Sequence, residues 1–155
     1  MSELLTHEEY KAIADGLILA STAFVDGGFR KAASGGTFDS IDPATGKLLA
    51  KVAACDAADV DFAVGKAREA FDDGRWRCLH PAERKEVLIK LAKLIRRHRH
   101  ELTVLESLDS GKPVRDCATI DIPETINTLI WHAEAIDKLY DQTAPVGEDV
   151  VALVL

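Results

Sequence analysis

The chain has 155 residues, with 19 Lys+Arg against 26 Asp+Glu, a formal net charge of -7, and a hydrophobic content of 47%. Hydrophobic residues this abundant exclude a disordered chain, and no apolar run reaches the ~18 residues a membrane-spanning helix needs. The acidic balance argues against nucleic acid as a partner, because phosphate binding requires clustered Lys and Arg.

Thr6 and Glu9 form a capping box, which predicts a first helix from His7 to about Ala20. Ala23-Phe24-Val25, Asp26-Gly27 and Phe29-Arg30 then read as a hairpin, since Asp-Gly supplies the positive φ of a type I′ turn. Thr37 to Asp42 alternates as a strand, Pro43-Ala44-Thr45-Gly46 turns, and Leu48 to Val52 returns. Together these strands are expected to form a small β-meander. Asp56 is an N-cap, followed by Val60, Ala63, Val64, Ala67 and Phe71 at helical spacing and Gly74 as a stop. Pro81 suits a first helical position, with Val87, Leu88, Leu91, Leu94 and Ile95 as one apolar stripe. Leu102, Leu105 and Leu108 make another, closed by Gly111 and Pro113. Asp121-Ile122-Pro123-Glu124 reads as the capped start of a last helix whose buried face is Ile126, Leu129, Ile130, Ala133, Ile136 and Tyr140. Beyond Pro145 and Gly147, Val150 to Leu155 is a uniformly apolar strand in which the chain stops, as though cut.

Chemistry is sparse. Cys55, Cys78 and Cys117 form neither a CxxC pair nor a disulfide framework, which fits a reducing, cytoplasmic setting. The apolar stretch Gly16–Ala20 follows Glu3, Glu8, Glu9 and Asp15, where an export leader needs positive charge. His98 and His100 stand two apart, so on a helix they face different ways and cannot chelate one ion. The glycine pairs 27–28 and 35–36 belong to turns, and no phosphate-cradling motif occurs. Asp109 lies at a helix C-terminus, where the dipole opposes a carboxylate: either a specific partner, such as a cation or backbone N–H groups, offsets this, or the placement is an ordinary surface one, the opposing energy being only about 0.3–1 kcal/mol. Asp121 and Glu124 serve either as helix caps or as paired carboxylates at the mouth of a pocket for a cationic substrate.

Five segments follow one another in order: Phe38-Asp39-Ser40-Ile41-Asp42-Pro43-Ala44-Thr45-Gly46; Ala67-Arg68-Glu69-Ala70-Phe71 with Trp76; Pro81-Ala82-Glu83-Arg84; Leu105-Glu106-Ser107-Leu108-Asp109-Ser110-Gly111-Lys112-Pro113; and Trp131-His132-Ala133-Glu134-Ala135. In register, they closely resemble the N-terminal part of the NAD(P)-dependent aldehyde dehydrogenase superfamily, over about Phe24 to Leu155. Ile122-Pro123 and Ala133 to Lys138 are most similar to the γ-glutamyl-γ-aminobutyraldehyde, or aminoaldehyde, branch.

The resemblance implies an α/β enzyme of which this stretch is mainly α-helical, with an N-terminal β-meander and a C-terminal oligomerisation-type strand, lacking the Rossmann core. It divides the chain into an N-terminal helix (1–22), the meander (23–53), a helical layer of the cofactor-domain region (54–144) and the start of an oligomerisation strand (145–155). Family enzymes attack an aldehyde with a Cys thiolate, pass hydride from the thiohemiacetal to NAD or NADP, and release an acid. The residues for those steps follow beyond this chain, so no catalytic or cofactor-binding residue is expected here and the chain alone is expected to be inactive. Two pairs of residues do carry over. Asp109 and the carbonyl of Ile41 match a monovalent-cation (Na or K) site, with Asp42 replacing the usual Asn. Asp121 and Glu124 match acids that bind the amino group of an aminoaldehyde from polyamine or putrescine breakdown. His80 replaces a Ser N-cap, which weakens that cap unless the imidazole offers an acceptor. The expected partners are the remainder of the enzyme chain and a second copy, in a dimer or tetramer, through the last strand; neither nucleic acid nor membrane is expected. The rival reading is a naturally truncated, non-catalytic interaction module.

Overall fold

The computed structural model describes residues 4–138 and the backbone of the strands Gln142–Ala144 and Ala152–Val154. Helix α1 (His7–Gly16) starts at the expected box: Glu9 N–H donates to Thr6 Oγ1 at 3.3 Å, and Thr6 N–H to Glu9 Oε2 at 2.8 Å. It ends before the expected Ala20, because Leu17 turns to extended backbone (φ -69°, ψ 131°) and the following apolar residues leave as an irregular segment. Strands β1 (Ala23–Val25) and β2 (Gly28–Arg30) form the hairpin, with Asp26 at φ 55° and Gly27 at φ 74° as a type I′ turn requires. Strands β3 (Thr37–Ile41) and β4 (Leu48–Ala53) form a second antiparallel pair.

The expected meander does not form: the two hairpins are separate two-stranded sheets. Backbone groups of the connection are taken elsewhere. Ala33 N–H donates to both oxygens of Asp59 at 3.0 and 3.2 Å, pinning the loop to the start of the next helix rather than to a strand. The second hairpin instead meets the chain through Ala53 N–H to Ser21 O and Ala54 N–H to Gly36 O, both 2.9 Å.

Helix α2 (Ala57–Asp72) is capped by Asp56, whose carboxylate accepts from Ala58 and Asp59. Its apolar side is open, with Val60, Val64 and Phe71 more than half exposed. Helix α3 (Pro81–Arg97) has an intact cap after all: His80 Nδ1 accepts from Ala82 N–H at 3.2 Å, and Glu83 accepts from His80 N–H at 2.9 Å. The imidazole therefore replaces the hydroxyl acceptor that Ser would supply. The single stripe expected on α3 is split. Leu88, Ala92 and Ile95 turn inward, whereas Val87, Leu91 and Leu94 are exposed. Helix α4 (Arg99–Ser110) buries Thr103 and Val104, and α1 packs on it with Tyr10 buried. The α4 terminus is Gly111 at φ 74°.

The last helical run differs from expectation at Asp121. Short helix α5 (Val114–Asp116) passes through a π-helical turn (Cys117–Asp121) directly into α6 (Ile122–Ala135). Asp121 is already helical and makes no capping bond. Pro123 has no N–H to donate, and the wider turn, with Ile122 N–H on Cys117 O, absorbs the missing bond. Hydroxyls help: Thr119 donates to Arg115 O and Thr125 to Asp121 O, both at 2.8 Å. The buried face of α6 is as expected, with Ile126 and Ala133 buried and Leu129, Ile130 and Ile136 half-buried against α3. Lys85 clamps the two helices through Glu134 (2.9 Å) and Asp137 (3.3 Å). Tyr140 lies outside the described residues. Of the expected last strand, Ala152–Val154 (β6) pairs antiparallel with Gln142–Ala144 (β5), and residues 150, 151 and 155 lie outside the description. Among the described residues no helix is long and apolar enough to cross a membrane.

Candidate functional site

Two places gather the residues singled out by sequence. The first is an open groove of about 610 Å³ between the end of α4 and the start of α6, lined by Glu106, Lys112, Asp121, Glu124, Thr125 and Thr128 among others. The π-helical turn sets its geometry. An extra residue in the turn rotates Asp121 to face α4, while Glu124, one turn on, stays on the same groove. Asp121 Oδ2 accepts from Lys112 Nζ at 3.0 Å, and Glu106 Oε1 lies 3.7 Å from the same ammonium. Among the described residues Glu124 accepts one side-chain hydrogen bond, from Asn127 Nδ2 at 3.5 Å. The bond to Asp121 holds the Lys112 ammonium above its ordinary pKa, so it stays charged.

Cys117 lies on the π-helical turn near this groove and is fully buried. Burial pushes its thiol pKa up, and the Asp121 and Glu106 carboxylates push it further. That is the opposite of what a nucleophile needs. Cys55 and Cys78 are exposed and free.

The second place is the corner where the β3–β4 hairpin meets the end of α4. Ser40 Oγ donates to Asp109 Oδ1 at 3.1 Å, which brings the strand end carrying Ile41 beside Asp109. Asp42 is buried, and its two oxygens are used within its own turn, accepting from Ala44 N–H at 2.8 Å and Thr45 Oγ1 at 2.6 Å. Those bonds hold its carboxyl below the usual range. The Asp in place of Asn therefore shapes the turn, and its carboxylate is not turned toward Asp109. Above this corner an open apolar cavity of about 500 Å³ is lined by Leu19, Phe38, Leu49, Val52, and the Leu102, Leu105 and Leu108 stripe. Among the described residues no cluster of three or more His, Cys, Asp or Glu side chains is set to hold a metal ion.

Gly27 and Gly35 sit at positive φ in tight turns, and neither opens a helix after a strand. Sequence reasoning missed Glu106 and Lys112 as members of the groove. Neither has a local signature, since the fold brings them to Asp121 across the turn at Gly111. The π-helical turn did have one: a Pro inside continuous helical pattern.

A family model for the aldehyde dehydrogenase family matches residues 29–155. Over all of its length the chain is 63% identical to an aminoacetaldehyde dehydrogenase of Pseudomonas aeruginosa, of which it covers 31%. The solved structure of a P. syringae indole-3-acetaldehyde dehydrogenase, in complex with NAD+, superposes with a TM-score of 0.94 at 47% identity, over 97% of this chain and 30% of that one. The γ-glutamyl-γ-aminobutyraldehyde dehydrogenase of Burkholderia cenocepacia gives 0.94 at 46%, over 96% and 30%. The chain thus spans less than a third of the length of the relatives it matches.

Proposed function

The chain belongs to the aldehyde dehydrogenase family, and from that premise we propose that it is the substrate-side helical layer of an enzyme oxidising aminoaldehydes to acids with NAD or NADP. The observation that carries the substrate class is the groove. Glu106, Asp121 and Glu124 converge on it with Lys112 as the one cation among its lining residues, so a guest ammonium gains more than an uncharged aldehyde does. The relatives' names alone do not decide this, because indole-3-acetaldehyde is neutral and aminoacetaldehyde is cationic.

In this reading the thiolate, the general base and the dinucleotide site lie outside these 155 residues. The chain's own residues bind and orient: Glu124 and Asp121 hold the amino end, and water is excluded by whatever covers the open sides of α2 and α3. Asp109 with the Ile41 carbonyl would hold a monovalent cation at the hairpin corner, and the pair of strands at 142–154 would contribute to an oligomer of a cytoplasmic enzyme. The exposed stripes at Val60, Val64 and Phe71 and at Val87, Leu91 and Leu94 support a layer that is covered in the working protein over a self-contained interaction module.

The test is steady-state reduction of NAD+ and NADP+ by the full-length enzyme carrying this segment, with an aminoaldehyde and an uncharged aldehyde of equal length. The aminoaldehyde is expected to win in kcat/KM, and Glu124→Gln to raise its KM about tenfold without changing kcat, as loss of uniform binding should. Equal specificity for the two aldehydes refutes the substrate class. NADH formation by the 155-residue chain alone refutes the placement of the chemistry elsewhere.

A further inference from the structure

Lys112 has no role in the reading above, yet its ammonium sits inside the groove. Its backbone is held on every side. Gly111 at φ 74° reverses the chain, Ser107 Oγ donates to Lys112 O at 2.7 Å, and Lys112 N–H donates to Ser110 Oγ at 3.3 Å. From that fixed root the side chain reaches Asp121 on the π-helical turn and Glu106 on α4, at 3.0 and 3.7 Å, joining two elements that share no other ion pair in the described residues. The side chain is about half exposed, so a competing cation in the groove can reach the carboxylates it holds.

Resting on the aminoaldehyde reading, we propose that Lys112 is the groove's internal counter-ion and its selectivity-setting residue, occupying the place between Glu106 and Asp121 that a guest ammonium must share. Three carboxylates and one ammonium leave the groove at -2, so a guest with one positive charge is accommodated with Glu124, which makes no ion pair among the described residues, as its partner. A guest ammonium that seeks Asp121 must share or displace Lys112. Binding is thereby weakened for every cationic aldehyde, and most for those carrying a second positive charge, which need both acids. An uncharged aldehyde meets no such competition.

The experiment compares Lys112→Gln and Lys112→Arg with the unchanged full-length enzyme at low salt. KM and kcat are read for a singly charged aminoaldehyde, a doubly charged one and an uncharged aldehyde. Lys112→Gln is expected to lower KM for the singly charged aldehyde roughly fivefold and for the doubly charged one more. The KM of the uncharged aldehyde falls less than that of either charged one, and the difference between them fades as salt is added. Lys112→Arg keeps the original values. Inhibition by ethylammonium against the uncharged aldehyde tightens by the same factor in Lys112→Gln, a readout independent of aldehyde chemistry. An unchanged or raised KM for the charged aldehydes in Lys112→Gln, with unchanged ethylammonium inhibition, overturns the proposal and makes Lys112 a brace for Asp121. If the unchanged enzyme shows no preference for charge, the substrate class falls. The role of Lys112 then stands or falls on whether ethylammonium binding tightens.

Discussion

Gly111 joins the two places where the site residues gather, and replacing it separates two physical costs. It ends α4 at φ 74°, a conformation costing an L residue about 1–2 kcal/mol. A Cβ there would also lie 2.8 Å from Pro43 Cγ and 3.4 Å from Pro43 Cβ. Pro43 cannot yield by a side-chain rotation. It is a ring in a turn whose flanks Asp42 ties to Ala44 and Thr45. Forcing an atom into such a contact costs about 1–3 kcal/mol, so Gly111→Ala is expected to lose about 2–5 kcal/mol in all. Gly46 supplies the control: its φ is 70°, and a Cβ there meets nothing within 4 Å. Gly46→Ala should lose only the conformational part, about 1–2 kcal/mol. Gly111→Asn should recover some of the conformational part while keeping the contact. Urea midpoints with unchanged slopes give the three values. Equal losses at Gly46 and Gly111 would refute the contact, and with it the view that Pro43 fixes the hairpin against the end of α4.

Two further outcomes follow from the chemistry around the site. Alkylation of the native protein at mildly alkaline pH should modify Cys55 and Cys78 and spare Cys117, all three reacting after denaturation; a native Cys117 adduct in the mass spectrum would contradict its burial and raised pKa. Asp42 has its pKa lowered by the Thr45 hydroxyl and Ala44 N–H, so its contribution to stability is complete above the ordinary carboxylate range and is lost as pH falls through its lower folded value. Comparing denaturation of the parent and Asp42→Asn across pH should show a gap that is steady above pH ~5 and closes toward pH ~2; a gap that widens in acid would reverse the sign.

Local chemistry was legible where one turn or one cap decides the structure. Thr6/Glu9 and Asp56 satisfy backbone groups within a few residues, Asp26-Gly27 supplies the positive φ of its turn and Pro81 a first helical position, and each stands where the sequence places it. The misreadings share a different cause. Asp121 and Glu124 have the spacing of a capping box, but a box needs a chain that enters from extended backbone. Here α5 delivers the chain already helical, and Asp121 turns to Lys112 instead. Whether Phe29-Arg30 leads into Thr37 as a sheet depended on Asp59, 26 residues from Ala33, which takes the loop's N–H. The α3 stripe looked single because Val87 to Ile95 is apolar on two sides; only packing against α6 tells which side is inside.

The same distinction bears on the groove. Each of its acids, read alone, has an ordinary explanation: Glu106 as a solvated helix residue, Asp121 as a cap, Glu124 as favourable to a helix dipole. Together they place like charges around one hollow, an arrangement that one lysine only partly neutralises. The π-helical turn is what makes them converge. A regular α-helical path from Val114 would rotate Asp121 and Glu124 together by about a third of a turn relative to α5, since one residue advances a helix by roughly 100°. The turn thus meets two needs at once: it absorbs the hydrogen bond that Pro123 cannot make, and it carries Asp121 round to the Lys112 and Glu106 side of the groove.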